Sequence, residues 1–107
     1  MTVRVSIGDR AEAQARQIDR WWMANRPAAR DLFHEEFLAC LSMLRSSPDI
    51  GQPQRHRKLP GLRRVLLPSS KYHVYYAHDP EQAQILILAV WSAIRRRKPP
   101  LAPLRKV

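Results

Sequence analysis

The sequence predicts an α+β fold of order βααβββ, an antiparallel sheet with a two-helix hairpin packed on one face. Three observations carry it. Two apolar stripes of helical period meet at Asn25-Arg26-Pro27. A polar, proline-containing stretch from Ser46 to Pro60 then breaks that period. After it, GLRRVLLPSSKYHVYYAHDPEQAQILILAVWSAIRRR holds three short strand-like runs in series and ends in cations. The 107 residues are read as one domain: helical hairpin about 9–46, basic loop 47–60, β-meander 61–92 and basic proline-rich tail 93–107.

Each element has its own signal. Val3, Val5 and Ile7 alternate with Arg4 and Ser6, the period of a half-buried strand. Asp9 with Glu12 resembles a capping box that opens a helix. Ala11, Ala15, Ile18 and Trp22 form one stripe of that helix. Pro27 disfavours helix in the residue before it and suits a first turn, so a second helix is expected to begin there. Its stripe is Ala29, Phe33, Phe37, Cys40, Leu41 and Leu44. The short break makes the pair an antiparallel hairpin. Strands are expected at about 62–67, 72–78 and 84–91, with turns at Pro68-Ser69-Ser70 and Asp79-Pro80-Glu81. The last strand is apolar at nearly every position and should be central, buried on both faces.

Charge divides the chain. Residues 1–49 hold seven Arg/Lys against seven Asp/Glu, whereas residues 50–107 hold twelve against two and carry the whole net charge of +10. A surface built this way meets something negative: nucleic acid or an acidic protein. Membrane binding is not expected, because Pro99-Pro100 stops the basic run 95–98 from extending into an amphipathic helix. The longest apolar run, Ile85 to Trp91, is seven residues, far short of the roughly 20 that span a bilayer. MTVRVSIGDR has no signal-peptide core, and a cytoplasmic location is expected. Cys40 is the single cysteine and lies on an apolar helical face, so it reads as a buried structural thiol. Four histidines without ligand spacing give no metal signal, and the three glycines form no phosphate loop, so no cofactor is expected. An ordinary nucleic-acid module is disfavoured too, since no aromatic pair in a glycine-rich strand, recognition helix or zinc site is present.

The order and spacing of several features resemble the RelE/ParE family of bacterial toxins, and most of all its ParE-like branch. These are Trp21, Trp22, Asn25, Arg26 and Pro27 at the helix break, then Pro48 and Gly51, then Gly61-Leu62-Arg63-Arg64. Tyr72-His73-Val74-Tyr75-Tyr76 with Asp79 follows, and then Ile87-Leu88-Ala89-Val90-Trp91 with its arginines. The resemblance implies the toxin of a type II toxin–antitoxin pair, held inactive in a hetero-oligomer by a cognate antitoxin with an acidic, partly disordered segment. ParE-like members trap DNA gyrase on cleaved DNA and do no chemistry of their own. RelE-like members enter the ribosomal A site and cut mRNA. A third possibility is a non-toxic member that still binds its antitoxin.

RNA cleavage needs an acid, a base and cations for the phosphorane. Arg63 and Arg64 alternate across a strand, so one faces each side. Tyr75 and Tyr76 ionise near pH 10 without help, whereas His73 and His78 titrate nearer neutrality. The nuclease set would therefore be Arg63 and Arg95 with His73 or Tyr75. RNA-cutting relatives often place a His or Tyr near the C-terminus, and PPLAPLRKV holds neither. The expected function is therefore inhibition of gyrase by binding, through Arg57, Lys58, Arg63, Arg64, Tyr75, Arg95, Arg96 and Arg97. Beside these, Trp21, Trp22 and Trp91 are expected to pack in the core or at its rim. His34, flanked by Glu35 and Glu36, is expected to be a solvated surface residue.

Overall fold

This computed structural model describes residues 2–101. The elements are β1 (Arg4–Ile7), α1 (Asp9–Asn25), a 3-10 turn (Pro27–Ala29), α2 (Leu32–Ser46), β2 (Gln52–Pro53), β3 (Leu62–Leu67), β4 (Tyr72–Asp79) and β5 (Gln84–Ser92). They build one five-stranded sheet of order β1-β5-β4-β3-β2 with both helices on one face. The α+β class and the meander β3-β4-β5 agree with the sequence reading.

Two features of the sheet differ from it. The sheet is mixed, because β1 lies parallel to β5, with Arg4 opposite Gln84 and Ile7 opposite Ile87. Two helices and a long loop separate β1 from the meander, long enough for the crossover that parallel neighbours need. A two-residue strand, β2, also forms inside the expected loop and pairs antiparallel with β3. Pro53 is tolerated there because β2 is an edge.

The helix starts also differ. Gly8 is the N-cap of α1, and no side chain caps the helix. Glu12 bonds Arg16 instead of reaching back, so the capping box does not form. The acidic first turn still complements the helix dipole. Pro27 opens a 3-10 turn rather than α2, with the Ala29 N–H on the Arg26 carbonyl at 2.9 Å. The chain must reverse here, and a tighter turn does so in fewer residues than an α-helical one.

The expected stripes form the core. Ala11, Phe33, Phe37, Cys40 and Leu44 are buried against Leu67, Val74, Tyr76, Ile85, Ile87 and Val90. Ala15, Ile18, Trp22 and Leu41 pack on its margin, whereas Ala29 falls in the turn. Phe33 stacks on Phe37 and meets Tyr72 edge-on, with centroids 5.6 and 5.2 Å apart. The Trp22 indole N–H donates to the Tyr72 hydroxyl at 3.2 Å. Trp21, by contrast, is 45% exposed and stacks under Arg26.

A second, smaller cluster covers part of the helix-free face: Leu59, Leu62, Tyr75 and Ala89, with Leu88, Trp91 and Leu101 against it. A β-bulge makes this possible. Tyr76 pairs with Ile87 and Tyr75 with Ala89, so Leu88 is an extra residue in β5. Beyond it the alternation inverts. Ile85, Ile87 and Val90 join the helix-side core, while Ala89 and Trp91 join the other cluster. β5 is therefore interior, as its composition implies, but its two faces are shared unevenly along its length. Among the described residues, no helix is long and apolar enough to cross a membrane.

Candidate functional site

Register decides which side each cation takes. Arg63 lies opposite Tyr76 and Arg64 opposite Tyr75 on the neighbouring strand. Tyr76 belongs to the helix-side core and Tyr75 to the helix-free cluster, so Arg63 and Arg64 take opposite faces. Arg64 Nη1 donates to the Tyr75 hydroxyl at 3.3 Å. His73 stands two residues along the same face, its ring 6.1 Å from that of Tyr75. Burial, and then the charge of Arg64, holds the His73 imidazole below its ordinary pKa, which favours the neutral ring. Arg64 Nε is buried and has no hydrogen-bond partner among the described residues.

Further cations border this face. Arg57 and Lys58 are exposed, just before Leu59 inserts into the helix-free cluster. At the other end the chain leaves β5 and exposes Arg95, Arg96 and Arg97. The Arg95 guanidinium lies 4.7 Å from the Trp91 ring centroid, and the Trp91 indole N–H donates to the Arg97 carbonyl at 2.8 Å. Arg57, Lys58 and Arg64 thus lie by the helix-free cluster, and Arg95–Arg97 follow from its Trp91 toward the edge of α1. An open cleft of about 460 Å³ beside α1 joins this rim, lined by Gln14, Gln17, Trp21, Tyr72, Trp91 and Arg95.

Two expected site residues do other work. Tyr75 is only 4% exposed, with its hydroxyl held by Arg64, so it supports that arginine from below and does not present itself to a partner. Arg63 is turned to the helix side, where Nη1 donates to the Asp49 and Gly51 carbonyls at 3.0 and 2.7 Å. Its Nε is also 3.7 Å from the Asp49 carboxylate. Arg63 is a latch on the 48–51 loop. The nuclease set of Arg63, Arg95, His73 and Tyr75 is therefore not assembled: Arg63 lies on the wrong face and Tyr75 is buried.

Several residues do structural work that the sequence did not assign to them. The Tyr76 hydroxyl donates to the Pro48 carbonyl at 2.7 Å and accepts the Gly51 N–H at 2.9 Å. His78 Nδ1 lies 2.8 Å from Asp49 Oδ1. These bonds, with Arg63, root the loop that carries Arg57 and Lys58. In the sequence Tyr76 and His78 read as acid–base candidates, and nothing there marked them as anchors of this loop. His34 is exposed as expected and stands 3.9 Å from Asp19. Cys40 is buried, and burial, reinforced by Glu36, pushes its thiol up to about 11, so it is no nucleophile at neutral pH. Among the described residues, no cluster of three or more His, Cys, Asp or Glu side chains could hold a metal ion.

Comparison with known proteins gives a consistent picture. Residues 5–97 match the family described as the ParE toxin of type II toxin–antitoxin system, parDE. A search of curated proteins gives no match. Among solved structures, the fold is similar to a toxin–antitoxin complex RelBE2 from Mycobacterium tuberculosis. The TM-score is 0.61 at 18% identity, over 86% of this chain and 99% of that one. It is also similar to an arginine-to-alanine double mutant of the E. coli toxin RelE in the free state, with TM-score 0.57 at 21% identity over 88% and 86% of the two chains. The isolated E. coli RelE toxin gives TM-score 0.56 at 22% identity over 87% and 86%.

Proposed function

The chain belongs to the ParE toxin family of type II toxin–antitoxin systems, and we propose that it inhibits growth by binding rather than by cleavage, with DNA gyrase as its target. The observation that carries this is the arrangement of the helix-free face. Cations gather there at Arg57, Lys58, Arg64 and Arg95–Arg97, while the four residues that a nuclease would need are split between two faces. Exposed arginines fit a large anionic partner, such as an enzyme engaged with DNA, and need no proton transfer. An acidic, partly disordered antitoxin segment would meet the same excess charge and fold on binding. The hetero-oligomer would form in the cytoplasm.

A second reading keeps one specific observation in its favour. His73 is held neutral beside Arg64, an arrangement that a base next to a phosphate-binding cation would have. It would make the protein a ribosome-dependent mRNA endonuclease. Purified protein incubated with supercoiled plasmid, gyrase and ATP separates the two. Linear DNA that requires both proteins is the expected result. No linear DNA from a folded, growth-inhibiting protein, together with loss of inhibition in His73→Ala, would overturn the binding reading.

A further inference from the structure

We infer that Trp91 is a positioning residue that holds the cationic tail in place, so that Arg95, Arg96 and Arg97 reach a partner from one fixed position. The inference rests on the binding reading above and adds to it how the tail becomes part of a rigid site.

The placement begins with the Leu88 bulge. Without it, Trp91 would follow Ile85 and Ile87 toward the helices. With it, Trp91 stands on the helix-free face opposite His73. There the indole does two separate things. Its ring lies 4.7 Å under the Arg95 guanidinium, and its N–H donates to the Arg97 carbonyl at 2.8 Å. One side chain thereby fixes a side chain and a backbone group that flank Arg96. A guanidinium stacked by its face keeps its N–H edges free for an anionic partner.

The same segment is tied down again further on. Pro99 is buried, Leu101 packs on the cluster that contains Trp91, and Arg10 of α1 donates to the Pro100 carbonyl at 3.0 Å. The stretch between has no helix or strand of its own, and Pro99-Pro100 cannot enter a helix interior. Four adjacent cations also repel one another. Without Trp91 and Arg10 the arm would sample many conformations, and binding would have to order it. Fixing it beforehand removes that cost.

The test uses the full chain and two variants, Trp91→Phe and Arg10→Gln. Trp91→Phe keeps an aromatic ring for packing but deletes the N–H. Arg10→Gln releases the far end of the tail from an exposed position, so it reports on the same device if the first variant does not fold. Two readouts see positioning without any target: limited trypsinolysis after Arg95, Arg96 and Arg97, and hydrogen exchange of the Trp91 indole N–H. The expected result is a roughly tenfold faster cut in each folded variant, and a protected indole proton in the wild type. Gyrase-dependent linearisation should fall several-fold in the same variants. Equal cutting rates, or a wild-type indole proton that exchanges as fast as a free one, would overturn the inference. So would a variant with a loosened tail and undiminished linearisation. The charge-reversed triple Arg95→Glu, Arg96→Glu, Arg97→Glu separates the premise: undiminished linearisation by it would sink the binding reading, while the proteolysis and exchange results would still judge Trp91.

Discussion

Tyr76 is fully buried, yet its hydroxyl is fully used, as donor to the Pro48 carbonyl and acceptor of the Gly51 N–H. Burial pushes its pKa up, and the Gly51 bond only partly offsets this, so the phenol stays protonated and able to donate. Gly51 is set by the same contact. A Cβ there would stand 2.6 Å from the Tyr76 hydroxyl, closer than van der Waals packing permits. Gly51→Ala must push the ring or the loop aside, and we expect a loss of about 2–4 kcal/mol, read from urea midpoints. Tyr76→Phe leaves the shape but strands the Gly51 N–H and Pro48 carbonyl, at about 1–3 kcal/mol. The double variant, with the hydroxyl gone, should lose less than the sum of the two. An additive loss would mean that the ring carbons, with Cε1 2.8 Å from that Cβ, and not the hydroxyl, exclude a side chain there.

Among the elements, α2 is fastened to the β3–β4 turn by one carboxylate. Glu36 accepts from the Ser69 and Ser70 N–H groups at 2.9 and 3.0 Å and from the Ser70 hydroxyl at 2.6 Å. Burial alone would raise its pKa, but the Ser70 hydroxyl and the two amides outweigh that, and the net shift is downward from the ordinary 4.5. A depressed folded-state pKa gives stability that is complete above the unfolded value and is lost as pH falls through the folded one. Wild-type protein should therefore lose stability on acidification below about pH 4.5 more steeply than Glu36→Gln. His73, also depressed, contributes a loss of the same sign from below its ordinary 6.5, common to both proteins, so the difference curve isolates Glu36. Parallel curves would remove Glu36 from this role. The second element-scale device is the bulge. Deleting Leu88 would remove the extra residue and leave Ala89, Val90 and Trp91 opposite Tyr75, Val74 and His73 on their present faces. A retained cooperative thermal transition is expected, lowered by the lost packing of Leu88 on the helix-free cluster. A deletion protein that does not fold would show that the bulge itself, through its local twist, is needed to seat β5.

For the whole molecule, the two faces of the sheet divide the labour. One carries the helices and the larger core, and the other carries a small cluster bordered by cations. Because Arg95–Arg97 are exposed, reversing their charge should move the thermal midpoint by only a few degrees while abolishing growth inhibition. Wild-type binding to gyrase should also weaken with salt more steeply than that of single reversals. A salt-independent affinity would contradict a charge-led contact. Growth inhibition on induction and binding isotherms at two ionic strengths check both statements.

Much of this was legible in the chain because it depends on local pattern. The stripes of α1 and α2, the three meander strands and the asymmetry of charge follow from residue periodicity and composition, which neighbours in sequence determine. The parallel pairing of β1 was not legible, since it depends on which sheet edge a long connection reaches. Nor were the separate fates of Arg63 and Arg64. Alternation required opposite faces, but only register against β4 and the packing of two helices decided which face was which. Tyr75 looked available because a strand tyrosine can point either way. It is buried because Leu59 arrives from a distant loop to cover it. Unbroken alternation from Ile85 would have turned Trp91 toward the helices; the bulge at Leu88 turns it away, and a bulge is a property of two paired strands. The sequence by itself determined the kinds of elements and the sign of the surface. The tertiary structure alone decided which cations share a face, because that depends on long-range pairing that no local pattern encodes.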